Sequence, residues 1–581
     1  MRAGVLFLAS LLAAAPGFAA GPGCGPLMPY IQAGSLRPSA GTEAAGAEAF
    51  AVWRRTVAAT ARESGARDIA AQISSLEPGR PVSPGSAEVA SCLLRYYLVT
   101  QYGERMVEDL RALVGFRTYA EEGRENWDAP EFLRQREWLR RKADELGLAF
   151  KSYDGRVDEV TLPGPKPILA VLTHGDVQGV EGQTWSSPPW EAKVLDGGRI
   201  VGRGTEDDKG PIVAALYSIA ALRDTGWTLD STLRLLIANG EESSWEEIPY
   251  YLERAPMPEM TVGVDAAYPV THAQKGYGVL TFRAGKPAGD PRPGEWRVAK
   301  ASGGSGMSIV PDHAEAVLEP AGGGGSPAEA LARLGDLATR WAAAHPPASL
   351  AVSREGGRFK VEAAGQGGHS AWPETAHNAL GDLTAFLATL PLQMDPWSAL
   401  VLFTGVHLGT GTDGRALGIA HSDPVMGPLT ASFSFLREDG GVPIAEINIR
   451  PPQGISLETV QRQIAERART FTQQTGVPLT AEARFDTQPH LAPTEGELVS
   501  TLLSVWEEVT GRPGKPVAIG GGTQARFFQG GVDFGPALSM EKYRGHGPDE
   551  FLTVDELHRT AELTAAALLR LAAVQGAAVS R

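Results

Sequence analysis

Three short apolar runs in the first half of the chain each end on acid or histidine: PILAVLTHGD (167–176), STLRLLIANGEE (231–242) and MTVGVDAAYP (260–269). Runs this short and this rich in Val, Ile and Leu read as strands buried on both faces. Between the first two lies GPIVAALYSIAALRDTG, with Pro211 just inside its start and Gly226 at its stop, the punctuation of a helix. Strands alternating with helices imply an α/β fold, a mixed, largely parallel sheet with helices on both faces. In such sheets ligands bind outside the carboxyl ends of strands, and that is where the polar residues fall.

Those residues are His174 with Asp176, the Glu241–Glu242 pair, Asp265, and Asp207 inside RGTEDDKG (203–210). Each has an ordinary use on its own: a hydrogen-bonded strand-end histidine, a solvated loop, a turn, a helix cap. Acid after acid at successive strand ends is harder to explain without a cation. A mixed His/Asp/Glu set suits zinc or a similar transition metal, whereas an all-oxygen set favours Mg or Ca. Two metals need a shared carboxylate, and Asp207 is the candidate bridge. Asp176 is placed to orient the His174 imidazole. Of the two adjacent glutamates, one can bind metal while the other faces the substrate as a general base.

Around this core the chain carries other text. Residues 1–20 have a basic start, an apolar centre and a small-residue end, the pattern of a secretory signal cleaved near residue 20. The expected location is therefore periplasmic or secreted, with no membrane attachment after cleavage. Only Cys24 and Cys92 are present, too few for a disulfide scaffold, and in an oxidising compartment they can pair. At 581 residues the chain exceeds what one core usually supports. The net charge of -15, with no basic stripe to offset it, argues against a nucleic-acid partner.

The expected layout is a helical N-terminal extension over 21–103, a first catalytic segment over 104–276, an inserted α+β lid domain over 277–490, and a catalytic return over 491–575. The insert opens on Gly/Pro-rich text and contains AGGGGS, read as a surface loop. Two strand–helix–strand units can be read in it, one around SPAEALARLGDLATRWAAAH and one around SLETVQRQIAERARTFTQQTG. In the return, the Gly-rich loop GGGTQARFF holds Gly522 and Thr523 as candidate substrate contacts.

In order, THGD, GRGTEDDKG, NGEESSW, VDAAYP, QKG, GQGGHSAWP, INIRPP and GHGPDE resemble the motifs of metallopeptidase family 20, over about residues 104–575, and look most like its bacterial dipeptidase branch. The resemblance implies two zinc ions per chain, with cobalt or manganese as substitutes, held by His174, Asp207, Glu242, Asp265 and His546. It implies Glu241 as general base, Asp176 as the orienting acid, His369 as a lid histidine stabilising the oxyanion, and Arg450 as the grip on the substrate carboxylate. Where the family often has Asn before a VP step this chain has Ser308, which alters one polar contact to the substrate. The implied activity is that of an exported dipeptidase acting on dipeptides or short peptides. The alternatives are an N-acyl amino acid amidohydrolase or a glutamate-type carboxypeptidase on the same metals, or an inactive peptide-binding relative. Two units in one insert lead to the expectation of a monomer, a single chain mimicking the paired lids of dimeric relatives.

Overall fold

Leu169 and Val171 face one side of the strand Ile168–His174, Ala170 and Leu172 the other, and all four are buried. This strand is central because both its faces are covered. The computed structural model describes residues 24–33 and 46–573, apart from 182, 288, 290–292 and 322–325. The proposed signal at 1–20 and the glycines of AGGGGS lie outside the described residues. The chain forms two compact units: one of 1–272, 492–517 and 523–581, the other of 273–491 and 518–522.

The first unit is built on a mixed sheet. Its strands run in the order Ala149–Tyr153, Val157–Leu162, Thr232–Ala238, Ile168–His174, Met260–Gly263, Val532–Asp533 and Val270–Gln274. The three runs singled out in the sequence are neighbours and parallel, with His174 opposite Ala238 and Leu172 opposite Gly263. Their carboxyl ends therefore emerge together. On one face the helix Lys209–Thr225, buried on every side, packs against Ala87–Val114 and Val554–Ala572. Gly226 ends that helix in the left-handed region at φ 66°, a conformation costly to any other residue. The helix Glu247–Leu252 covers the other face through Ile248 and Tyr251.

The N-terminal helices belong to the same core. Phe50 and Trp53, from Ala47–Glu63, lie against Tyr97, and Phe50 also meets Trp227 edge-on. A single helix, Ala87–Val114, runs through position 103, where composition suggests the end of an extension. Its apolar residues continue from Leu93 to Leu113 without a break, so nothing ends the helix there. Cys24 and Cys92 are joined in a disulfide that fastens Met28–Ala33 to this helix, with their Cα atoms 5.6 Å apart. Among the described residues no helix is long and apolar enough to cross a membrane.

The second unit is an antiparallel eight-stranded sheet with helices. Its order is Ser349–Glu355, Arg358–Ala364, His313–Pro320, Trp296–Gly303, Thr430–Asp439, Val442–Arg450, Tyr277–Ala284 and Leu479–Thr487. The first four strands and the last four make two halves joined through one residue pair, Gly303 with Leu436. Each half carries a strand–helix–strand unit, with helix Pro327–Ala344 in one and Leu457–Thr475 in the other. Alternation gives the sheet two chemistries. Ala431, Phe433, Ile447 and Ile449 enter the core, while Thr430, Ser432, Asn448 and Arg450 share the opposite face.

Candidate metal centre

The three consecutive carboxylates of Glu206–Asp207–Asp208 have three different jobs. Glu206 accepts from the backbone N–H of Arg544 at 2.6 Å and from its guanidinium at 3.1 Å. Burial still pushes the Glu206 carboxyl up to about 7 against the pull of that arginine. Asp208 accepts the backbone N–H of His174 at 2.9 Å, which locks the end of the central strand. Asp207 alone points both its oxygens at imidazoles. Its Oδ1 lies 2.8 Å from His174 Nε2 and its Oδ2 lies 3.1 Å from His546 Nε2.

Two ligand clusters share Asp207: His174 and Asp265 on one side, Glu242 and His546 on the other. Asp265 Oδ1 is 3.6 Å from His174 Nε2, and Glu242 Oε1 is 3.0 Å from His546 Nε2. The donors fit divalent transition metals. His174 Nε2 and Glu242 Oε1 are buried and face only other ligand-type atoms, Asp207 Oδ1 and His546 Nε2, so nitrogen and carboxylate donors converge on two points around Asp207. Burial disfavours a charge on His174, but Asp265, Asp176 and Asp207 outweigh it and hold the imidazole well above its ordinary value. Burial pushes Asp265 up to about 6, opposed by His174 and assisted by Asp207 and Glu242. Against its burial, the two imidazoles hold the Asp207 carboxyl well below its ordinary value, and metals bound to the same donors would supply that positive charge instead.

Glu241 and Glu242 part at the turn after the strand Thr232–Ala238. Asp176 holds that turn: its two carboxylate oxygens accept the N–H groups of Glu241 at 3.1 Å and Glu242 at 2.9 Å. Its carbonyl, rather than its carboxylate, lies within hydrogen-bonding distance of His174 Nδ1, at 3.0 Å against 3.6 Å. Asp176 therefore orients the imidazole through its backbone and the glutamates through its side chain. Glu242 turns to His546, with Gln178 donating to its other oxygen at 2.8 Å. Glu241 makes no ion pair with either histidine among the described residues. With His174 and Asp265 it lines a cavity of about 10 Å³, the room of roughly one water. Burial and the Asp265 carboxylate hold Glu241 well above the usual carboxylate range, against the pull of His174.

Several further residues hold the centre in place, some inside the quoted motifs and some outside them. Tyr543 donates its phenolic hydrogen to Asp207 Oδ2. Burial and the neighbouring carboxylates keep that phenol protonated. Gly545 makes the approach possible, since a Cβ there would sit 2.2 Å from the Tyr543 oxygen and 2.8 Å from Asp207 Oδ2. Glu550 accepts the N–H groups of Glu206 at 3.0 Å and Asp207 at 3.2 Å, and pairs with the buried Arg203 at 2.6 Å. Arg203 in turn donates to the carbonyl of His546 at 3.0 Å. One ion pair thus fixes both loops that bring ligands to the centre. Lys209 is wholly buried and donates to the carbonyls of Leu113 and Phe116, fastening the acidic turn to the end of a helix. Tyr543 could be found only by its proximity to His546, whereas Glu550 closes the motif GHGPDE without its role being readable there.

Thr523 commits its hydroxyl to Asp533, 3.0 Å from each carboxylate oxygen, and caps the short turn Gln524–Phe527. Its observed contacts are those of a loop anchor. Gly522 is half-buried and closes the segment 518–522 of the second unit.

In the second unit, Arg450 ends the strand Val442–Arg450 and is buried. Its Nε donates to Asn448 Oδ1 at 2.9 Å, its Nη2 to Ser308 and Ser370 hydroxyls at 3.3 Å each, and its guanidinium lies 4.7 Å from the Tyr277 ring centre. Burial pushes it down to about 10, so it keeps its charge at neutral pH. Among the described residues no carboxylate pairs with it, an expensive state for a buried cation. His369 lies in the short strand Gly368–His369, its Nδ1 accepting from the N–H of Ala371 at 3.0 Å and its ring against Trp372. A third His/Glu group, His313, Glu315 and Glu362, sits on this unit's surface, where the Lys360 ammonium already bridges the two glutamates at 2.8 and 2.9 Å.

The sequence pattern of Peptidase family M20/M25/M40 matches residues 170–570. A Beta-Ala-Xaa dipeptidase from Lactobacillus delbrueckii subsp. lactis is 30% identical over 73% of this chain and 85% of its own length. Two solved structures are similar in fold. Human carnosine dipeptidase 1 aligns with a TM-score of 0.51 at 13% identity, and the di-peptidase Dug1p from Saccharomyces cerevisiae with 0.50 at 11%. Each alignment covers 82% of this chain and 98% of the other. With ligand clusters joined at one carboxylate, a base candidate beside them and a family match across more than two thirds of its length, the chain belongs to peptidase family M20/M25/M40 and is a hydrolase of peptide bonds.

Proposed function

We propose that the protein is an exported two-metal dipeptidase that holds its substrate by the C-terminal carboxylate. The observation that carries this reading is Asp207, whose two oxygens serve two separate ligand clusters. The donor set suits zinc, with cobalt or manganese as replacements. His174 and Asp265 would hold one ion, Glu242 and His546 the other, and Asp207 both. Bound there, the metals would polarise the scissile carbonyl and make a water acidic enough to attack at neutral pH.

The chain's own residues do the rest. Glu241 takes the proton of the attacking water and delivers it to the departing amine. Its place beside His174 and Asp265, at a cavity with room for about one water, suits a group that shuttles a proton between the two steps. Asp176 keeps Glu241 and Glu242 on their separate tasks through their backbone N–H groups. Arg450 supplies a buried positive charge without a protein counter-ion, and a substrate carboxylate would complete it with a two-pronged hydrogen bond. Ser308 and Ser370 steady the guanidinium. His369 would donate to the oxyanion, the part the family resemblance gives it.

The name of the Lactobacillus relative supports the dipeptide reading. Export is supported by residues 1–20 and by the Cys24–Cys92 disulfide, a bond favoured in oxidising compartments. Two sheet halves within one lid unit support a monomer. The deciding experiment offers the protein dipeptides, tetrapeptides and N-acetyl amino acids, before and after chelation and with zinc, cobalt or manganese restored. Dipeptides should be cleaved fastest, and only with metal. Preferred cleavage of N-acetyl amino acids would move the protein to the amidohydrolases, and full activity of the metal-free chain would refute the reading.

A further inference from the structure

Arg450 does not stand alone on its sheet face. Across the strand pair, Thr430 lies opposite Arg450, and Ser432 lies opposite Asn448, whose Oδ1 receives both Arg450 Nε and Ser370 Oγ. Ser432 is 1% exposed, and its hydroxyl makes no hydrogen bond among the described residues. A buried hydroxyl left in that state is costly unless something polar reaches it. What it borders is a cavity of about 210 Å³, lined among others by Glu374, His377, Asn378, Thr410, Thr412 and Ser432. This is smaller than the roughly 300–1,000 Å³ of sites that enclose whole drug-sized ligands, and is the scale of one long side chain.

The walls of the cavity are fixed and rich in acceptors. Asn378 is committed, its amide donating to the Phe433 carbonyl at 2.8 Å and its Oδ1 capping the helix Ala379–Leu387. The N–H of Ala431 donates to the Thr412 carbonyl at 2.8 Å, which ties the loop 409–412 to the strand. His377 Nε2 lies 2.6 Å from Asp382 Oδ2, a contact that holds the ring in the cavity wall. Glu374 is the one formally charged carboxylate in the lining, and no lysine or arginine lines the cavity. Lys275, which feels the Glu374 charge, lies outside the lining and donates to the Pro428 carbonyl.

We propose that this cavity is the specificity pocket for the side chain of the substrate's C-terminal residue, and that it selects a long basic one, lysine or arginine. The proposal rests on the reading of Arg450 as the carboxylate clamp. With the α-carboxylate held at Arg450, the diagonal cross-strand neighbour on the same sheet face, roughly 7–8 Å away, is Ser432 at the edge of the cavity. A four-carbon stem can cross that distance and bring its charged head to Glu374. The Ser432 hydroxyl and the threonine hydroxyls offer further acceptors, while an acidic side chain would meet Glu374 with like charge.

The test compares kcat/KM of the metal-loaded full chain on Ala-Lys, Ala-Arg, Ala-Leu and Ala-Glu. The basic peptides should lead by roughly tenfold, the worth of one charge-assisted hydrogen bond. Glu374→Gln should erase most of that lead through KM, and Ser432→Ala part of it. Calorimetric binding of free L-lysine against L-leucine gives a second reading that needs no catalysis, with Glu374→Gln weakening lysine alone. Equal rates for Ala-Lys and Ala-Leu, or a preference untouched by Glu374→Gln, would overturn the pocket. If no peptide is cleaved, the dipeptidase reading fails; lysine binding that still depends on Glu374 would then sustain the pocket, and its absence would overturn that too.

Discussion

Tyr543 gives its phenolic hydrogen to Oδ2 of Asp207, the carboxylate that both ligand clusters share. A carboxylate oxygen has two lone pairs, so Oδ2 can keep this bond and still face a metal. Partners of this kind orient the ligand they touch, and their loss typically costs about 10- to 100-fold in metal affinity. Tyr543→Phe should show that loss in a competition titration with a chromophoric chelator, while its far-ultraviolet dichroism stays that of the parent. An affinity within twofold of the parent would mean that Asp207 is held well enough without the phenol.

Glu241 and Glu242 are adjacent, yet their substitutions should separate. Glu241→Gln keeps metal and loses about 100- to 10,000-fold in kcat, the usual share of positioned proton transfer. Glu242→Gln loses metal, because His546 and Asp207 alone hold an ion poorly. Elemental analysis after gel filtration distinguishes them, and a reversed pattern would exchange the two roles.

Arg450→Ala should raise KM for dipeptides by roughly two orders of magnitude, as removal of a buried charged partner does. The parent enzyme should also discriminate against a C-terminal amide, and the variant should not. A variant that still rejects the amide would place the carboxylate grip elsewhere.

Glu562 offers a pH signature far from the metals. Burial pushes it up to about 7, against Arg95 and Arg559. Between its ordinary value of 4.5 and about 7 the folded chain keeps a proton that the unfolded chain has released. Its contribution is therefore fully present below that window and fades as pH rises through it, on the order of 3 kcal/mol in all. Glu562→Gln should flatten this slope, so denaturant midpoints at pH 5 and pH 8 should differ less in the variant than in the parent. Equal slopes would show that Glu562 ionises normally.

Much of the centre was legible because strands announce their ends. Val, Ile and Leu in short runs fixed where the sheet lay, and His174, Glu241, Glu242 and Asp265 followed from the rule that ligands gather at carboxyl termini. Pro211 and Gly226 bracketed the helix between them. The roles of the supporting residues were not legible: Arg203 and Glu550 both stand in recognisable motifs, but their pairing across 347 positions exists only in the fold. Periodicity likewise showed that Ala47–Glu63 is helical, but not that Phe50 and Trp53 join the core beside the sheet. Nor did three consecutive acids declare their separate tasks, because only the fold assigns Glu206 to Arg544 and Asp208 to a backbone N–H.

The bond from Arg203 to Glu550 spans 347 positions. The segment carrying His546 and Glu550 must be present before that loop can close, and long-range closures of this sort come late in folding. Until then Asp207, Glu242 and Asp265 exist without His546, three carboxylates against the one imidazole of His174. Metal held at both clusters would thus report that this closure has been made. A chain cut before residue 546 would be no half-strength enzyme, because the bridge would lose the histidine on its second side.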